Sequence, residues 1–279
     1  MPSTAYEKYW TPSHRRVLSA FVFWPGLAVA LVYLPSRGFG MLAAGAITVS
    51  FFEYVRLLVF PRNRTVGWIA MIAGGTCTLP FVMNSSELTV VLLVLGCLLV
   101  VGVAMAAHGS ISDRLSAAAF ALAGLVYIVL PLGLVILLRY KVDGIYRIGF
   151  LFAVTWARDV GAFIVGQTLR VKNLHLINRS ISTNKTYEGA IGGIIASVVA
   201  ALIIRSWLGR EVSLPSLIGL GLLLGIVGQI GDLVESLIKR VAGVAHSSNL
   251  IPGQGGLLDT LDSFIYTAPV IYVFTMFNS

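Results

Sequence analysis

The stretch LTVVLLVLGCLLVVGVAMAA, residues Leu88–Ala107, contains no charged side chain. A membrane-spanning helix needs roughly 20 predominantly apolar residues, so this stretch predicts a helix that crosses a bilayer. Similar apolar runs lie on both sides of it. All candidate spans, this one included, are about Val17–Leu34, Gly38–Phe60, Val66–Met83, Leu88–Ala107, Leu115–Leu138, Ile145–Leu169, Gly189–Trp207, Leu214–Ile238 and Leu257–Phe277. The sequence therefore predicts an all-α, polytopic integral membrane protein with about nine transmembrane helices.

The composition agrees with a membrane protein. Hydrophobic residues make up 57% of the chain and charged residues 11%, whereas soluble domains average about 25% charged residues. The net charge of +8 does not indicate a nucleic-acid partner, because the basic residues fall at the ends of apolar runs, where loops meet anionic lipid head groups. No polar segment is long enough to fold alone, so we expect a single transmembrane domain over residues 1–279.

Two long polar segments interrupt the apolar runs, Arg170–Glu188 and Lys239–Gly256. Two predicted helices separate them, so both segments emerge on the same face of the membrane. With a cytoplasmic N-terminus, 12 basic residues fall on the cytoplasmic side and 6 on the other, which is the bias of the positive-inside rule. We therefore expect both loops to face the cytoplasm, at a bacterial inner membrane.

The segment GDLVESLIKR, residues Gly231–Arg240, carries the strongest polar cluster. As a helix it places five polar side chains on one face: Asp232, Glu235, Ser236, Lys239 and Arg240. Carboxylates with cations at the helix end suit a metal ion together with phosphate groups. The alternative is a solvated helix face, which the adjoining apolar span disfavours.

The next motif is SSNLIPGQGGLLDTLDS, residues Ser247–Ser263. Asp259 and Asp262 stand three apart at the start of the last apolar run, where they would repel Asp232 and Glu235 unless a cation lies between them. The glycines of GQGG leave the backbone free to approach a phosphate. The alternative is that both aspartates are ordinary helix caps.

Two further positions carry charge inside apolar runs, which costs roughly 2.5–3.5 kcal/mol per residue on insertion scales. Arg158 and Asp159 form either an ion pair that holds helices together or a ligand contact in a polar cavity. Glu53 and Arg56 stand three apart, and we interpret them as a structural pair.

The first polar loop ends in STNKTYEGAIGG, residues Ser182–Gly193. Lys185 can bind phosphate as a point charge, Glu188 can cap a helix, and Thr186 can supply a polar contact. A helix start and a substrate site are equally compatible with this segment.

These motifs resemble the CDP-diacylglycerol synthases, also called phosphatidate cytidylyltransferases. The resemblance is carried by SLIKR-x10-IPGQGGLLDTLDS (Ser236–Ser263), by the preceding GDLVES, by NKTYEG (Asn184–Gly189) and by DVGAFIVG (Asp159–Gly166). It places the motif-bearing, catalytic half at about residues 145–279. The N-terminal half is similar only in being a series of apolar helices.

The resemblance implies a reaction in which CTP and phosphatidic acid, or a related lipid phosphate, give a CDP-diacylglycerol-type lipid and pyrophosphate, with Mg²⁺ as cofactor. It implies that Asp232, Asp259 and Asp262 are catalytic and bind the metal or support its ligands. It further implies a set of substrate-binding residues, namely Lys185, Thr186, Glu188, Glu235, Ser236, Lys239, Arg240 and Asp159. A homodimer is also compatible with the family.

The chain departs from the family pattern at four positions. The family's Lys-Asp pair is replaced by Ala245 and His246, its histidine before Gly-Gly by Gln254, and its arginine between the last two acids by Thr260. Two other functions therefore stay open: a family member without catalysis that binds lipid or nucleotide, and another CTP-using membrane enzyme such as a polyprenol kinase.

Overall fold

The structure is a computed structural model that describes residues 24–169, 186–208 and 212–278. Its described part is all-α, as predicted. The helices are α1 (Trp24–Tyr33), α2 (Ser36–Leu58), α3 (Arg64–Val82), α4 (Ser86–Ala106), α5 (Ile111–Gly124), α6 (Leu130–Arg139), α7 (Gly144–Thr168), α8 (Tyr187–Ile203), α9 (Leu214–Ala242) and α10 (Leu257–Phe277).

Each of the predicted spans overlaps a helix, but the number of membrane crossings is not confirmed as nine. Among the described residues, seven helices are long and apolar enough to cross a bilayer, with α5 and α6 counted together as one helix of 29 residues. A π-helical turn, Leu125–Val129, joins those two. The remaining apolar helices, α1 and α8, are shorter. The predicted first span, Val17–Leu34, begins outside the described residues.

Helix α2 lies at the centre of the N-terminal half, where it contacts α3, α5, α6 and α10. The aromatic rings of Phe51 and Tyr54 on α2 are buried and lie over Gly124, at the end of α5. A side chain at Gly124 would overlap both rings, so this glycine allows α2 and α5 to approach closely. Through α10, the same helix reaches the C-terminal half of the protein.

Helices α7, α8 and α9 pack through small residues. A Cβ atom added at Gly192 of α8 would lie 2.5 Å from Cβ of Val165 on α7, and one added at Gly221 of α9 would lie 2.9 Å from Cα of Val198 on α8. Small residues let helix backbones approach in a membrane, where burial of apolar surface gives little drive for association. Helix α8 is therefore in close contact with α7 on one side and with α9 on the other.

Contacts between loops and helix ends define the two ends of the bundle. Arg139, at the end of α6, donates to the Ser36 hydroxyl (3.2 Å) and to the Leu34 carbonyl (3.1 Å), at the start of α2. The loop between α9 and α10 instead contacts Glu53, near the end of α2. That loop and the turn after α6 therefore lie at opposite ends. We call the end that carries the α9–α10 loop the loop end.

Candidate active site

Arg158 is the centre of a buried polar network that joins three helices. Its side chain, on α7, is 1% exposed. Its Nη2 lies 3.0 Å from Oδ1 of Asp232 on α9 and 2.6 Å from Oγ of Ser263 on α10, and it also pairs with the neighbouring Asp159. Of the two interpretations of Arg158 and Asp159, an ion pair between helices is therefore found. A ligand contact at the half-exposed Asp159 stays a prediction.

Two glycines make room for the Arg158 side chain. A Cβ atom at Gly228 of α9 would lie 3.0 Å from Cζ of Arg158, and one at Gly193 of α8 would lie 3.2 Å from its Cγ. The guanidinium therefore occupies a slot that any larger side chain at these positions would narrow. This slot fixes the cation next to the carboxylates of α9 and α10.

A second ion-pair group surrounds Lys239. Its Nζ lies 2.6 Å from Oε1 of Glu235, one turn earlier on α9, and 2.9 Å from Oδ1 of Asp259 on α10. Glu235 is buried. Acids of the two motifs are thus brought together with protein cations. Lys239 pairs with both Glu235 and Asp259, which also share a side-chain hydrogen bond, and Arg158 pairs with Asp232.

Asp259 makes more hydrogen bonds than a simple metal ligand would. Besides Lys239, its carboxylate accepts from the backbone N–H groups of Gly256 (2.8 Å) and Ser247 (3.0 Å). The bond to Gly256 closes the first turn of α10, as a capping carboxylate does. Asp259 therefore holds the α9–α10 loop and Lys239 together, and its role as a metal ligand stays a prediction.

Asp232 and Asp262 are neighbours because both bind the hydroxyl of Ser263. Ser263 Oγ donates to Oδ1 of Asp232 and lies 3.1 Å from Oδ1 of Asp262. Both carboxylates are partly exposed. Ser236 lies one turn after Asp232 on α9, and its hydroxyl donates to the Asp232 carbonyl at 2.8 Å. Arg240 is exposed at the end of α9.

The donor set of this site suits Mg²⁺. No group of three or more His, Cys, Asp or Glu side chains within residues 24–169, 186–208 and 212–278 is arranged to hold a metal ion. Mg²⁺, however, is commonly held by one or two carboxylates together with substrate phosphates and water. Asp232 and Asp262 provide such a pair. The charged side chains that meet in this network include the acids Asp159, Asp232, Glu235, Asp259 and Asp262 and the cations Arg158 and Lys239.

The glycines of the α9–α10 loop make room for carboxylates. Gly255 has a left-handed backbone (φ +106°), and a Cβ atom there would lie 3.1 Å from Cγ of Asp259. A Cβ atom at Gly256 would lie 2.7 Å from Cδ of Glu53 and would also overlap the Ser247 hydroxyl. The sequence predicted that GQGG lets a phosphate approach. At Gly255 and Gly256 the close neighbours are instead two acidic side chains of the protein.

Glu53 is the main residue of this region that the sequence did not assign to it. Its buried carboxylate accepts four hydrogen bonds: from the hydroxyls of Ser247 (2.9 Å) and Ser248 (2.6 Å) and from the backbone N–H groups of Leu257 (3.1 Å) and Leu258 (2.8 Å). The predicted pairing with Arg56 is wrong, because Arg56 is exposed while Glu53 turns to the loop. The cost of an acid in an apolar run was the available signal.

The remaining predicted residues lie around this network. Thr186 caps α8, accepting from the N–H of Gly189 at 3.1 Å, which confirms a helix start. Glu188 is partly exposed in the first turn of α8. Lys185 lies outside the described residues. Of the departures, His246 places Nδ1 3.7 Å from Asp259, and Thr260 donates to the Gly256 carbonyl at 3.1 Å.

Fold and site together define a polytopic membrane protein with an acidic, cation-containing site at the loop end of its bundle. The sequence model described as "Cytidylyltransferase family" matches residues 14–277. The chain belongs to this family.

Individual relatives agree with the family. The chain is 37% identical to the phosphatidate cytidylyltransferase of Staphylococcus saprophyticus, 36% to that of Staphylococcus haemolyticus and 35% to that of Staphylococcus aureus strain COL. Each match extends over 156 residues, which is 56% of this chain and 58% of the relative. The similarity thus spans little more than half of the length of each relative.

Proposed function

We propose that the protein transfers the CMP moiety of CTP to a membrane lipid phosphate, phosphatidic acid or a related lipid, and releases pyrophosphate. The observation that carries this proposal is the paired network at the loop end. In it, residues of two separate motifs, on α9 and α10, meet around Lys239. Membership of the cytidylyltransferase family and the names of the relatives support it.

The proposed chemistry is a direct displacement at phosphorus. An oxygen of the lipid phosphate attacks the α-phosphorus of CTP, and the bond from that phosphorus to the oxygen bridging to the β-phosphate breaks. The lipid gains CMP through a new phosphoanhydride bond, and pyrophosphate leaves with the electron pair of the broken bond. In such transfers the protein contributes mainly by positioning reactants and stabilising charge.

We propose that some of the described residues contact the substrate and that others hold those residues in position. We assign Lys239 and Arg240 to the phosphates, and Ser236 to a polar contact on the same face of α9. Glu235 and Asp259 fix the position of the Lys239 ammonium from two helices. Lys185, Thr186, Glu188 and Asp159 remain proposed substrate contacts from the first loop and from α7.

We propose Mg²⁺ as the cofactor, held by Asp232 and Asp262, with Asp259 supporting the site through Lys239. When bound, the ion would neutralise phosphate charge and help pyrophosphate to leave. Arg158 holds Asp232 in place through the ion pair at 3.0 Å. Ser263 fixes the relative position of the two aspartates, because its hydroxyl contacts both.

We propose that the active site lies at the cytoplasmic face of a bacterial inner membrane, where CTP is available. The proposed catalytic half is about residues 145–279, and α2 supports it from the N-terminal half through Glu53.

The test is an assay of the purified full-length chain with CTP, phosphatidic acid in mixed micelles and Mg²⁺. We expect pyrophosphate and a CDP-linked lipid in equal amounts, and we expect both to be lost with EDTA. A panel of other lipid phosphates would identify the preferred acceptor. Release of CDP with phosphorylation of a polyprenol would support a kinase instead, and CTP binding in calorimetry without turnover would support a non-catalytic binder.

A further inference from the structure

We propose that Glu53 is a positioning residue for the reaction, which fixes the first turn of α10 and thereby Asp259 and Lys239. This inference rests on the proposed function. Glu53 lies in the N-terminal half, on α2, at a distance of about 200 residues in the chain from the motifs that it holds. Within the part of the chain that the structure describes, however, its side-chain hydrogen bonds go to the α9–α10 loop and the start of α10.

Glu53 places its carboxylate at the N-terminus of α10, where it accepts hydrogen bonds from the helix backbone. The first N–H groups of a helix have no partner inside the helix, and the helix dipole favours negative charge beside them. Glu53 accepts from the first two of these in α10, Leu257 N–H with Oε1 and Leu258 N–H with Oε2. Asp259 takes the preceding N–H, at Gly256. Two protein carboxylates thus share the start of α10.

The hydroxyl contacts extend this grip to the loop. Ser247 and Ser248 donate to the two oxygens of the same carboxylate, and the backbone N–H of Ser247 binds Asp259. The loop and the helix start are therefore fixed to one another through two acids. Since Asp259 is also the partner of Lys239, a shift of the first turn of α10 would move the ammonium that we assign to phosphate binding.

A consequence for the substrate follows from the same contacts. Helix N-termini are common phosphate sites, but at α10 Glu53 already occupies that position. A phosphate there would meet a buried negative charge instead of N–H groups. The phosphates must then bind on the other side of Asp259, towards Lys239 and the Asp232–Asp262 pair.

The test compares Glu53→Gln, Glu53→Asp and the control Arg56→Gln, an exposed position on the same helix, in the purified full-length chain. Hydrogen exchange of the Leu257 and Leu258 amides is measured alongside CTP turnover with phosphatidic acid. Glu53→Gln should speed exchange of these two amides about tenfold or more, because it removes a charged acceptor, and should lower kcat at least about tenfold. Glu53→Asp should recover part of both, and Arg56→Gln neither.

A milder variant protects the test against misfolding. Ser248→Ala removes one donor to Glu53 and leaves the carboxylate, so exchange and turnover should change in the same direction by a few fold. Unchanged exchange in Glu53→Gln would overturn the anchor, and faster exchange with normal kcat would reduce Glu53 to a structural cap. If the unmodified chain has no turnover, the proposed function fails separately, and the exchange result still decides whether Glu53 holds α10.

Discussion

Arg158 shows how a single buried cation organises this site. A buried charge is tolerated only when it is paired and hydrogen-bonded, and breaking such a pair from one side is strongly destabilising. Arg158 meets that requirement through Asp159, Asp232 and Ser263. The carboxylates that are proposed to face substrate are therefore also the groups that make α7 compatible with its place in the bundle.

The slot beside Arg158 can be tested with one methyl group. Gly228→Ala would place a Cβ atom 3.0 Å from Cζ of Arg158 and closer still to its Nη1. We expect a loss of about 1–3 kcal/mol in the free energy of unfolding, typical of overpacking, and a strong fall in turnover. Gly219→Ala, on the same helix with no atom within 4 Å of the added Cβ, should leave both unchanged. Thermal unfolding in detergent and the CTP assay check this, and equal behaviour of the two variants would contradict the slot.

Asp232 is the residue whose loss should affect chemistry most directly. We expect Asp232→Asn to lower CTP turnover by about 10²–10³, the usual cost of removing a charge-stabilising group from an active site. Arg158 keeps Asp159 and Ser263 as partners, so the chain should still fold, with a lower thermal unfolding temperature because the Asp232 ion pair is lost. The matched control is Asp143→Asn, an exposed aspartate at the opposite end. Near-normal turnover in Asp232→Asn would remove this residue from the site.

At this scale the sequence predicted local relationships better than distant ones. Helical spacing placed Asp232, Glu235 and Lys239 on one face, and Glu235 and Lys239 do form an ion pair. Glu53 could not be assigned in the same way, because its partners lie 194 to 205 residues further along the chain. Spacing rules describe neighbours on one helix and carry no information about which helices meet.

Helices α7 and α8 pack closely because both carry small residues where they meet. Gly161 and Gly166 on α7 face Ala196 and Gly189 on α8, respectively. Such small-residue contacts stabilise helix pairs by close van der Waals packing. Because α7 carries Arg158 and Asp159, the fit of α8 against α7 also sets where the buried cation lies.

A substitution in this contact should separate the two helices. Gly192→Ala would bring its Cβ to 2.5 Å from Cβ of Val165, so we expect a lower thermal unfolding temperature and reduced turnover. Gly102→Ala on α4 has nothing within 4 Å of the added Cβ and should unfold like the unmodified chain. A Gly192→Ala variant that matches the control in both measurements would argue against close α7–α8 packing.

Element type was predictable from apolar runs, while element ends depended on features that hydropathy does not contain. The predicted eighth span ended at Ile238, but α9 continues to Ala242, because its polar last turns remain helical until Gly243 adopts a left-handed backbone (φ 70°). The π-helical turn Leu125–Val129 lies inside a continuous apolar run. Nothing in hydropathy distinguishes it from regular helix.

The whole molecule has two chemically different ends. The α9–α10 loop, with its acids and glycines, lies near the end of α2, and the turn after Arg139 lies near its start. A helix of 23 residues such as α2 is roughly 35 Å long, enough to cross a bilayer. From the basic bias of the sequence we predict that the loop end faces the cytoplasm.

Cysteine labelling of intact and permeabilised cells tests this orientation. In a chain with Cys77→Ala and Cys97→Ala, Leu250→Cys reports the loop end and Val142→Cys the opposite end, since both positions are well exposed. We expect a membrane-impermeant reagent to label Val142→Cys in intact cells and Leu250→Cys only after permeabilisation. Labelling of both from outside would contradict the two-ended arrangement, and the reverse pattern would invert the orientation.

The position of Arg158 in the chain also bears on how the protein is made. Its interhelical partners, Asp232 and Ser263, follow 74 and 105 residues later, and at about 5–20 residues per second the ribosome needs roughly 5–20 s to complete the second of them. During that interval Asp159 is the nearest counter-ion, because it comes from the same helix. We expect α7 of a nascent chain to stay at the insertion machinery, sheltered from lipid, until α9 and α10 emerge and complete its pairing. The order in which the helices are synthesised therefore determines when this intramembrane arginine is fully paired.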